Sequence, residues 1–508
     1  MTSVKIERDP EAAAAARHDV VVVGGGVYGV CVALEAAWRG RSVLLLERDD
    51  FGGAVSFSSL RILHGGLRYL QKMDLKRFFE SVGERRWMLR HFPESTRVLP
   101  CLMPLYGDGV RRPAVFRAAL PLNDLMSWRR NVGVAASHRL GRARVVSASE
   151  VARLFPGVDR EGLRGGAWWV DGQMANSQRL TMELCRWASA SGATLLNHVE
   201  ATGLDVEGGR VAAVRAVDRV TGGELRFAAE TVINAAGPWS AEVSASMGDA
   251  QPRLFRPTLA INVLLDRPPV GETAVAVTPK RPGAQTYFLH QEGGRLLGGT
   301  FYAPAPPAAV RDDPAAYGDV LRGMASAYLD EVNLAVPGLG LRPDEVLRVY
   351  DGLLPATAEG GDEPTDRPIV HDHGGAGGPG GLWSVSGVKW TTARLVAAQT
   401  LRRALPGAAA TMTPRPAAVT GVAAEGSEVI EDRPWDAVRD AAHYLREHES
   451  AVTLDDLLLR RTAWARDPDV GRRLAERLAP ELGVGDAALA RAVAAIGRRP
   501  FAAEAAAA

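Results

Sequence analysis

Residues 19–29 read DVVVVGGGVYG, and this stretch decides the fold of the first part of the chain. It begins with a β-branched apolar run that is typical of a buried strand. Glycines follow at once in the spacing Gly24-x-Gly26-x-x-Gly29, and apolar residues then recur with helical spacing. A second apolar run at 42–46 closes a βαβ unit of about thirty residues. This order predicts an α/β fold with a dinucleotide-binding turn at its start.

Each glycine of the motif allows a close approach that a side chain would block. Gly24 permits the tight turn, Gly26 lets the backbone approach a pyrophosphate, and Gly29 lets the helix pack closely on the strand. The phosphates then lie at the helix N-terminus, where free N–H groups and the helix dipole favour negative charge. Glu47 ends the second strand and is expected to accept hydrogen bonds from ribose hydroxyls. This motif alone leaves both FAD and NAD open.

The composition limits the classes of protein to which the chain can belong. Its 508 residues suffice for roughly two or three domains, and 46% hydrophobic with 23% charged residues is usual for a soluble globular protein. Lys+Arg number 60 and Asp+Glu 59, so there is no basic surplus of the kind that nucleic-acid-binding proteins carry. The three cysteines have no CxxC spacing, which suits a reducing cytoplasm. No run approaches the ~20 apolar residues of a membrane span, and we predict a cytoplasmic protein.

Three further segments carry the glycines and polar groups that a flat ring system needs beside it. They are residues 58–70 (SSLRILHGGLRYL), 234–239 (NAAGPW) and 387–394 (GVKWTTAR). Glycine lets the backbone approach such a ring closely. Lys389, just before a predicted helix, would place a cation and N–H donors near the electron-rich edge of a flavin and stabilise its anionic reduced form. These segments favour FAD over NAD.

Taken together, these motifs resemble the FAD-dependent glycerol-3-phosphate dehydrogenases, within the wider D-amino-acid-oxidase-like superfamily of flavoproteins. The resemblance runs through the four segments quoted above and resumes at residues 453–462, which are similar to the helical cap of that family. HGGLRYL and GxKxTTxR are specific to the family, whereas many flavoproteins share the first glycine motif. The resemblance therefore extends over nearly the whole chain.

The resemblance implies an α/β fold in three parts. These are a discontinuous Rossmann-like FAD-binding domain at 18–95, 170–250 and 345–405, an inserted antiparallel-sheet substrate domain at 96–169 and 251–344, and a C-terminal helical domain at 410–500. Sequence patterns add local expectations, namely helices at 67–92, 148–154, 176–191 and 314–334, strands at 225–227 and 231–235, irregular chain with Pro and Arg around 100–165, and a loop at 358–381.

The resemblance also assigns site residues, one by one. Residues expected against FAD are Gly24, Gly26, Gly29, Glu47, Arg48, Ser56, Ser59, Val199, Ala236, Gly237, Trp239, Gly387, Lys389, Trp390 and Thr391, with His64, Gly65 and Gly66 lining the flavin ring. His64, Arg68 and Lys389 are the expected catalytic residues. Arg68 matches a family arginine near the substrate, and His64 or Lys389 is the candidate base that removes the substrate proton.

The reaction implied is hydride transfer from a small polar hydroxy substrate to flavin N5. Glycerol 3-phosphate, or a phosphorylated or phosphonylated analogue, is the expected substrate, and a quinone, another carrier or oxygen is the expected electron acceptor. Flavin-dependent oxidation of an amine or amino acid is the alternative, and a flavin-binding protein without turnover is a third interpretation. We expect no nucleic acid as a partner.

Two departures from the family concern the substrate phosphate. Residues 351–355 (DGLLP) place Leu354 where the family has a phosphate-binding arginine, and His371 stands where it has a second one. Arginine binds phosphate bidentately and leucine cannot, so we expect weaker binding of glycerol 3-phosphate unless another cation takes over. Arg61 and Arg367 are the candidates for that replacement.

Several features keep two interpretations open. His371 and His373 alternate as metal ligands can, but no further His, Cys or Glu cluster supports them, and we predict no metal site. The Trp168-Trp169 pair fits either core packing or the lining of a site. A basic cluster fits either a solvated face or a peripheral membrane contact; it consists of Arg111, Arg112, Arg117, Arg129 and Arg130. A homodimer is also left open.

Overall fold

The computed structural model describes residues 4–107, 112–247, 254–281, 283–358, 360–424 and 430–501. These residues form two compact units. The first takes the described residues of Met1–Phe57, Ser177–Leu259 and Gly352–Gly497, and the second those of Ser58–Asn176, Ala260–Asp351 and Arg498–Ala508. Both units are therefore assembled from separate stretches of the chain.

The strands within the described residues are numbered in chain order. They are β1 (Arg17–Val23), β2 (Val43–Leu46), β3 (Ile62–Leu63), β4 (Thr96–Leu105), β5 (Arg144–Val146), β6 (Gly165–Met174), β7 (Ala193–Leu196), β8 (Val199–Glu207), β9 (Arg210–Asp218), β10 (Glu224–Asn234), β11 (Pro257–Leu265), β12 (Ala274–Val277), β13 (Tyr287–Glu292), β14 (Arg295–Pro304), β15 (Val346–Pro355), β16 (Ile369–Asp372) and β17 (Leu382–Ser386).

The α-helices of the same residues are numbered likewise. They are α1 (Pro10–Ala15), α2 (Val27–Ala37), α3 (Ala54–Phe57), α4 (Leu67–Gln71), α5 (Leu75–His91), α6 (Pro113–Met126), α7 (Ala148–Leu154), α8 (Ser177–Ala190), α9 (Ser240–Ser246), α10 (Ala308–Arg311), α11 (Pro314–Ala335), α12 (Ala393–Ala404), α13 (Trp435–His448), α14 (Pro468–Glu481) and α15 (Asp486–Ile496). Among the described residues, no helix combines the length and the apolar character needed to cross a bilayer.

The sheet of the first unit runs in the order β16-β17-β10-β1-β2-β7, and β8 and β9 extend it from β10. The neighbours from β17 to β7 are parallel, and β16 is antiparallel to β17. Val20, Val21 and Val22 of β1 are fully buried, as expected for a central parallel strand that is covered on both faces. The predicted βαβ unit is thus confirmed as β1, α2 and β2.

The sheet of the second unit runs in the order β15-β11-β14-β13-β12-β4-β6-β3, with β5 on the side of β6. The pairs that β6 makes with β3, β4 and β5 are antiparallel, as are those that β13 makes with β12 and β14. The pair of β12 and β4 is parallel, which departs from the predicted antiparallel sheet. The α/β architecture with a second, mostly antiparallel sheet agrees with the prediction.

Three local predictions are wrong. The helix expected at 67–92 is divided into α4 and α5, because Met73 has a positive φ of 57° and the Asp74 side chain starts a new helix by accepting a bond from the Arg77 N–H at 3.2 Å. The region around 100–165 is not irregular throughout, since β4 pairs with β6 along its length although it contains Pro100 and Pro104. The loop at 358–381 contains the strand β16.

Other local predictions are confirmed with small changes at their ends. Helices at 148–154, 176–191 and 314–334 correspond to α7, α8 and α11. The strands at 225–227 and 231–235 are one continuous strand, β10, because its N-terminal half pairs with β9 and its C-terminal half with β1. The boundaries predicted for a separate C-terminal helical domain stay a prediction.

The helices after residue 430 have an apolar core of their own and are joined to the rest of the first unit by buried ion pairs. Arg461, on a π-helical turn at Asp456–Arg461, donates from Nη2 to Asp50 Oδ1 at 2.8 Å, and both side chains are buried. Burial alone would raise the pKa of Asp50, but the charge and hydrogen bonds of Arg461 hold it below its usual value. Glu449 accepts from Arg179 at 2.7 and 2.8 Å. These pairs fix the C-terminal helices on the nucleotide-binding unit.

Replacing Arg461 by methionine would leave the buried Asp50 carboxylate without its charged partner. We expect the free energy of unfolding to fall by about 3–5 kcal/mol, because breaking a buried pair leaves an uncompensated charge. Urea unfolding followed by far-UV circular dichroism measures the change. Arg473→Met is the control, since Arg473 pairs with Glu431 on an exposed surface of the same helical region at 2.9 Å and its loss should cost less than about 1 kcal/mol. Equal losses in the two variants would contradict this role of Arg461.

Candidate active site

The glycine turn after β1 brings two backbone segments together more closely than side chains allow. Gly24 has a φ of 104°, and a Cβ there would lie 2.7 Å from the carbonyl oxygen of Ala235. A Cβ on Gly29 would lie 1.8 Å from the carbonyl oxygen of Gly24. The structure therefore gives both glycines the packing roles that the motif predicts: the turn sits against the end of β10, and α2 packs directly on the turn.

The N-terminus of α2 is the point where the motif predicts phosphate. Gly26 caps this helix without a side chain, and the Val27 N–H donates to Ser56 Oγ at 2.9 Å. A hydroxyl that accepts from the helix can also donate to a phosphate oxygen. The end of the helix thus combines N–H donors and one adaptable hydroxyl, which fits a pyrophosphate.

Glu47 is held facing the glycine turn. Its Oε2 accepts from the Gly25 N–H at 2.6 Å and its Oε1 from the Asp49 N–H at 2.8 Å. Burial raises the pKa of Glu47, and these two hydrogen bonds oppose the rise. The carboxylate is therefore oriented beside the turn, as the predicted ribose contact requires.

The neighbouring predicted contacts surround Glu47. The Val199 N–H donates to the Glu47 carbonyl at 2.8 Å, and the Val199 side chain is buried. The Arg48 guanidinium lies 4.2 Å from the centre of the Trp239 ring in a cation–π contact. Ala236 and Gly237, at the end of β10, start the short 3-10 helix Gly237–Trp239. These residues all lie in the first unit.

The GVKWTTAR segment is tied to α2. The Tyr28 hydroxyl donates to the carbonyl of Lys389 at 3.0 Å, and a Cβ on Gly387 would lie 2.1 Å from that hydroxyl. Trp390 and Thr391 are buried in the 3-10 turn before α12, and the Trp390 indole N–H has no hydrogen-bond partner among the described residues. A buried, unused donor next to a glycine cradle fits an acceptor on a bound cofactor.

The predicted FAD contacts of the first unit share one edge of the sheet. Parallel strands β1, β2, β10 and β17 end at Val23, Leu46, Asn234 and Ser386, and predicted contacts follow each of these ends. Ligands of open α/β sheets bind outside the carboxyl ends of the strands. The structure therefore brings these residues to the position where a dinucleotide is expected, and they fit FAD.

The predicted contacts of the second unit cluster around the HGG motif. His64 follows β3 with a side chain that is 44% exposed, and its ring centre lies 5.5 Å from that of Phe288. Gly66 has a φ of 84° and caps α4, on which Arg68 is exposed. Ser59 accepts from Arg61 through its carbonyl oxygen at 2.6 Å. His64 and Arg68 are thus both accessible in this unit.

Gly65 has a different reason for being glycine than the one predicted. A Cβ there would lie 2.0 Å from Nη1 of Arg85, so the guanidinium occupies the space that a side chain would need. Contact with the flavin ring is not needed to explain this glycine.

The structure shows which of the candidate residues could replace the two missing phosphate-binding arginines. Arg61 cannot replace the missing arginines, because it is buried in an ion pair with Glu292 at 3.1 Å. Arg367 is exposed on the loop before β16. Leu354 is buried near the end of β15, where it offers no charge.

The described residues give no support for a metal at the two histidines. The rings of His371 and His373 meet edge to face at 4.6 Å, and His373 Nε2 is bonded to Ser384 Oγ at 2.8 Å. Another group, Asp50, His198 and Asp456, has its ligand atoms within 4.8 Å of one another. However, Asp50 is ion-paired with Arg461, and His198 Nε2 is hydrogen-bonded to Asp456 Oδ2 at 2.8 Å. This cluster is therefore a hydrogen-bonded network.

Sequence reasoning missed two residues beside His64. The Asp171 carboxylate lies 3.6 Å from His64 Nδ1 and is paired with Arg85. The indole N–H of Trp169 donates to the same carboxylate at 3.1 Å, which places Trp169 in the core rather than leaving it open. No spacing in the sequence links residues 64, 85 and 171, so only the predicted proximity of the tryptophan pair to a site pointed here.

Comparison with known proteins places the chain in a family. The family model described as FAD dependent oxidoreductase matches residues 19–402, and the chain belongs to that family. FAD is accordingly its cofactor.

Among curated relatives, the chain is similar to glycerol-3-phosphate dehydrogenase 1 of Mycobacterium tuberculosis, with 32% identity over 487 residues, 87% of this chain and 90% of the relative. The mitochondrial glycerol-3-phosphate dehydrogenase SDP6 of Arabidopsis thaliana is 30% identical over 392 residues, which is 75% of this chain and 59% of the relative. The solved glycerol-3-phosphate dehydrogenase of Bacillus halodurans, complexed with FAD, has a similar fold with a TM-score of 0.69 at 20% identity, covering 97% of this chain and 96% of that one.

Replacing Gly29 by alanine would force a methyl group against the Gly24 carbonyl. We expect FAD affinity to fall about 10- to 100-fold, because overpacking of this kind costs about 1–3 kcal/mol and displaces the turn. The flavin content of purified protein and titration of the apoprotein with FAD measure the change. Gly83→Ala is the control, since Gly83 lies in α5 and a Cβ there would meet no atom within 4 Å. Unchanged FAD affinity in Gly29→Ala would contradict the packing role of Gly29.

Proposed function

We propose that the chain oxidises a small phosphorylated hydroxy compound, glycerol 3-phosphate or a close analogue. Two lines support this proposal. The two curated relatives described above are named for glycerol 3-phosphate, and the chain spans 90% of the mycobacterial one. HGGLRYL supplies an imidazole and an exposed guanidinium, His64 and Arg68, in one unit.

Arg68 is the residue that we propose binds the substrate phosphate. Burial raises the pKa of Tyr302, and a hydrogen bond with Thr300 and the positive charge of Arg68 oppose that rise. The charge of Arg68 therefore acts on the Tyr302 phenol, and the two groups offer the positive charge and the hydroxyl donor that a phosphate needs. We assign phosphate binding to Arg68 and Tyr302, and we expect the apolar Leu354 to make that binding weaker than two arginines would.

The remaining roles follow the chemistry of alcohol oxidation. Bound FAD supplies a two-electron acceptor for the substrate C–H bond. His64 takes the proton of the substrate hydroxyl, since a neutral imidazole has a nitrogen that can accept a proton and this ring is 44% exposed. Lys389 stays a predicted catalytic residue of the first unit. The acceptor of the electrons after turnover is a quinone, another carrier or oxygen.

Anaerobic mixing with a panel of electron donors tests the substrate class. We expect glycerol 3-phosphate to bleach the flavin absorbance near 450 nm. Its binding should be about 1,000-fold or more weaker than with a complete pair of arginines, because each of the two lost contacts costs about 2–5 kcal/mol. Glycerol at the same concentration should leave the flavin oxidised. Bleaching by amines or amino acids alone would overturn the proposal in favour of amine oxidation, and no bleaching by any donor would favour a flavin-binding protein without turnover.

Two variants locate the phosphate. Arg68→Ala should raise the half-saturating concentration of glycerol 3-phosphate about tenfold or more, since a hydrogen bond to a charged group contributes about 1.5–3 kcal/mol. Arg322→Ala is the control, since Arg322 is 42% exposed and pairs with Asp319 on α11 of the same unit. An equal effect of the two substitutions would contradict the assignment.

We also propose that the second unit binds a membrane surface through α6 and the residues beside it. Exposed apolar side chains cluster there; they are Met73, Leu75, Phe79, Leu122, Leu125, Trp128 and Val132. Met126 packs against Tyr69, Leu70, Phe78 and Val82, which brings the end of α6 beside α4 and α5. Leu125 and Trp128 are 70% and 71% exposed. Large exposed apolar patches of this kind mark interaction sites.

Basic side chains border these apolar residues. Lys72, Lys76, Arg112, Arg117 and Arg129 are exposed around them, whereas Arg111 of the predicted cluster lies outside the described residues. Apolar side chains that insert and cations that meet anionic headgroups are the two parts of peripheral membrane binding. The basic cluster is thereby better explained as a membrane contact than as a solvated face.

Co-sedimentation with anionic phospholipid vesicles tests this contact. We expect the double variant Leu125→Glu and Trp128→Glu to bind about tenfold or more weakly, because two large apolar groups leave the interface and two negative charges enter it. Leu334→Glu is the matched control, since Leu334 is an exposed leucine on α11 in the same unit. The proposed surface would be contradicted if the double variant bound the vesicles as tightly as the unsubstituted protein, or if the control lost as much binding as the double variant.

A further inference from the structure

A buried carboxylate behind His64 accepts three hydrogen bonds, one each from the HGG turn, α5 and β6. Asp171 Oδ1 accepts from the Gly65 N–H at 2.8 Å and from Arg85 Nη1. Its Oδ2 accepts from the Trp169 indole at 3.1 Å and lies 3.6 Å from His64 Nδ1. Both carboxylate oxygens thus accept hydrogen bonds. The oxygen nearest to His64 is Oδ2, and the ring nitrogen that it faces is Nδ1.

Gly65 explains how Arg85 reaches this carboxylate. The guanidinium lies where a Cβ of residue 65 would be, so a glycine beside His64 is the condition for the pair of Arg85 and Asp171. Arg85 Nη1 also donates to the Val170 carbonyl at 3.3 Å, which ties α5 to β6. The HGG turn, α5 and β6 are therefore locked together around one ion pair.

On the basis of the proposed function, we propose that Asp171, held by Arg85, is the positioning residue that fixes His64 with its Nδ1–H toward the carboxylate and its Nε2 free to accept the substrate proton. A neutral imidazole carries one proton, and the hydrogen bond made by one nitrogen decides which nitrogen is basic. Nδ1 is the nitrogen within reach of Asp171. Nε2 is then the atom that does the chemistry.

The Asp171 carboxylate is ionised at neutral pH, because its partners hold its pKa below the usual value. Burial by itself would raise the pKa of Asp171, but the hydrogen bond from His64, the charge of Arg85 and the Trp169 indole lower it to about 2. Other groups near the network are Cys101 on β4, whose thiol has its pKa raised by burial and by the charge of Asp171, and the ion pair of Asp124 with Arg130 at 3.3 Å. The lasting negative charge toward His64 is therefore that of Asp171.

The proton and electron balance of the step is simple. The O–H bond of the substrate breaks and its proton passes to His64 Nε2. The C–H bond at the same carbon breaks, and its hydrogen leaves with both bonding electrons as a hydride, so that the carbinol becomes a ketone. Bound FAD, the oxidant that the family supplies, would accept that hydride. Asp171 stabilises the imidazolium that forms and does not itself take up the proton.

The tautomer of His64 can be read without any turnover. Holoenzyme labelled with [15N]histidine, compared with His64→Gln to identify the signal, gives the protonation of each ring nitrogen by long-range 1H–15N spectroscopy. We expect neutral His64 to carry its proton on Nδ1, and we expect Asp171→Asn to lose this preference. A proton on Nε2 in the unsubstituted enzyme would overturn the proposal, and this result does not require that Asp171→Asn folds.

Kinetics provide the second readout. Asp171→Asn should slow anaerobic flavin reduction about 10- to 100-fold, part of the 10²–10⁴-fold that a positioned base contributes. The acidic limb of its pH profile should move to lower pH, because a neutral amide no longer stabilises the protonated ring, and Asp171→Glu should restore the limb. Glu292→Gln is the matched control. It also removes the charged partner of a buried arginine, Arg61, but it should leave the acidic limb of the pH profile in place. A limb that does not move in Asp171→Asn would overturn the proposal.

The two measurements separate this inference from the proposed substrate. If only amines reduce the flavin while neutral His64 carries its proton on Nδ1, the substrate proposal fails and the positioning of His64 by Asp171 stands. If glycerol 3-phosphate reduces the flavin while the proton is on Nε2, the positioning fails and the substrate proposal stands.

Discussion

The absence of side chains at Gly24 and Gly29 controls how closely α2 approaches the sheet of the first unit. A Cβ on Gly29 would fall 1.8 Å from the Gly24 carbonyl, so the helix lies as near to the turn as two backbones can. This contact aims the N–H groups of α2 past the ends of β1 and β10. The predicted ribose contact of Glu47, the capping by Ser56 and the anchoring of Lys389 through Tyr28 are all arranged around that helix. The nucleotide-binding half of the protein therefore depends on one steric condition.

Buried pairs of carboxylate and arginine fix segments that lie far apart in the sequence. Arg461 reaches Asp50 across 411 residues, Arg61 reaches Glu292 across 231, and Arg85 reaches Asp171 across 86. Such pairs contribute little net stability compared with apolar packing, but breaking one of them is costly. These pairs specify which segments of the chain meet. In the second unit, the pair of Arg85 and Asp171 also places a carboxylate beside the imidazole of His64, a candidate catalytic residue.

The two departures at the phosphate side have different structural meanings. Leu354 is an integral part of β15 and buried, so an apolar residue is what this position packs. His371 lies against His373, which is itself bonded to Ser384, so it belongs to a local aromatic contact. Neither residue replaces an arginine in function. The proposed function assigns phosphate binding to Arg68 and Tyr302 instead, and this assignment differs from the pair of arginines expected from the resemblance.

The sequence by itself determined the βαβ unit, the position of the predicted FAD contacts after each parallel strand and the helices α7, α8 and α11, because glycine spacing and apolar periodicity are local properties that the backbone follows directly. It could not show that β4 pairs with β6 through Pro100 and Pro104, or that Met73 and Asp74 interrupt a helix, since pairing and a positive φ at a non-glycine residue are imposed by neighbours. It also could not reveal why Gly65 is glycine. Only the tertiary structure placed the guanidinium of Arg85 in that space and the carboxylate of Asp171 beside His64, because those contacts join residues that no sequence period connects.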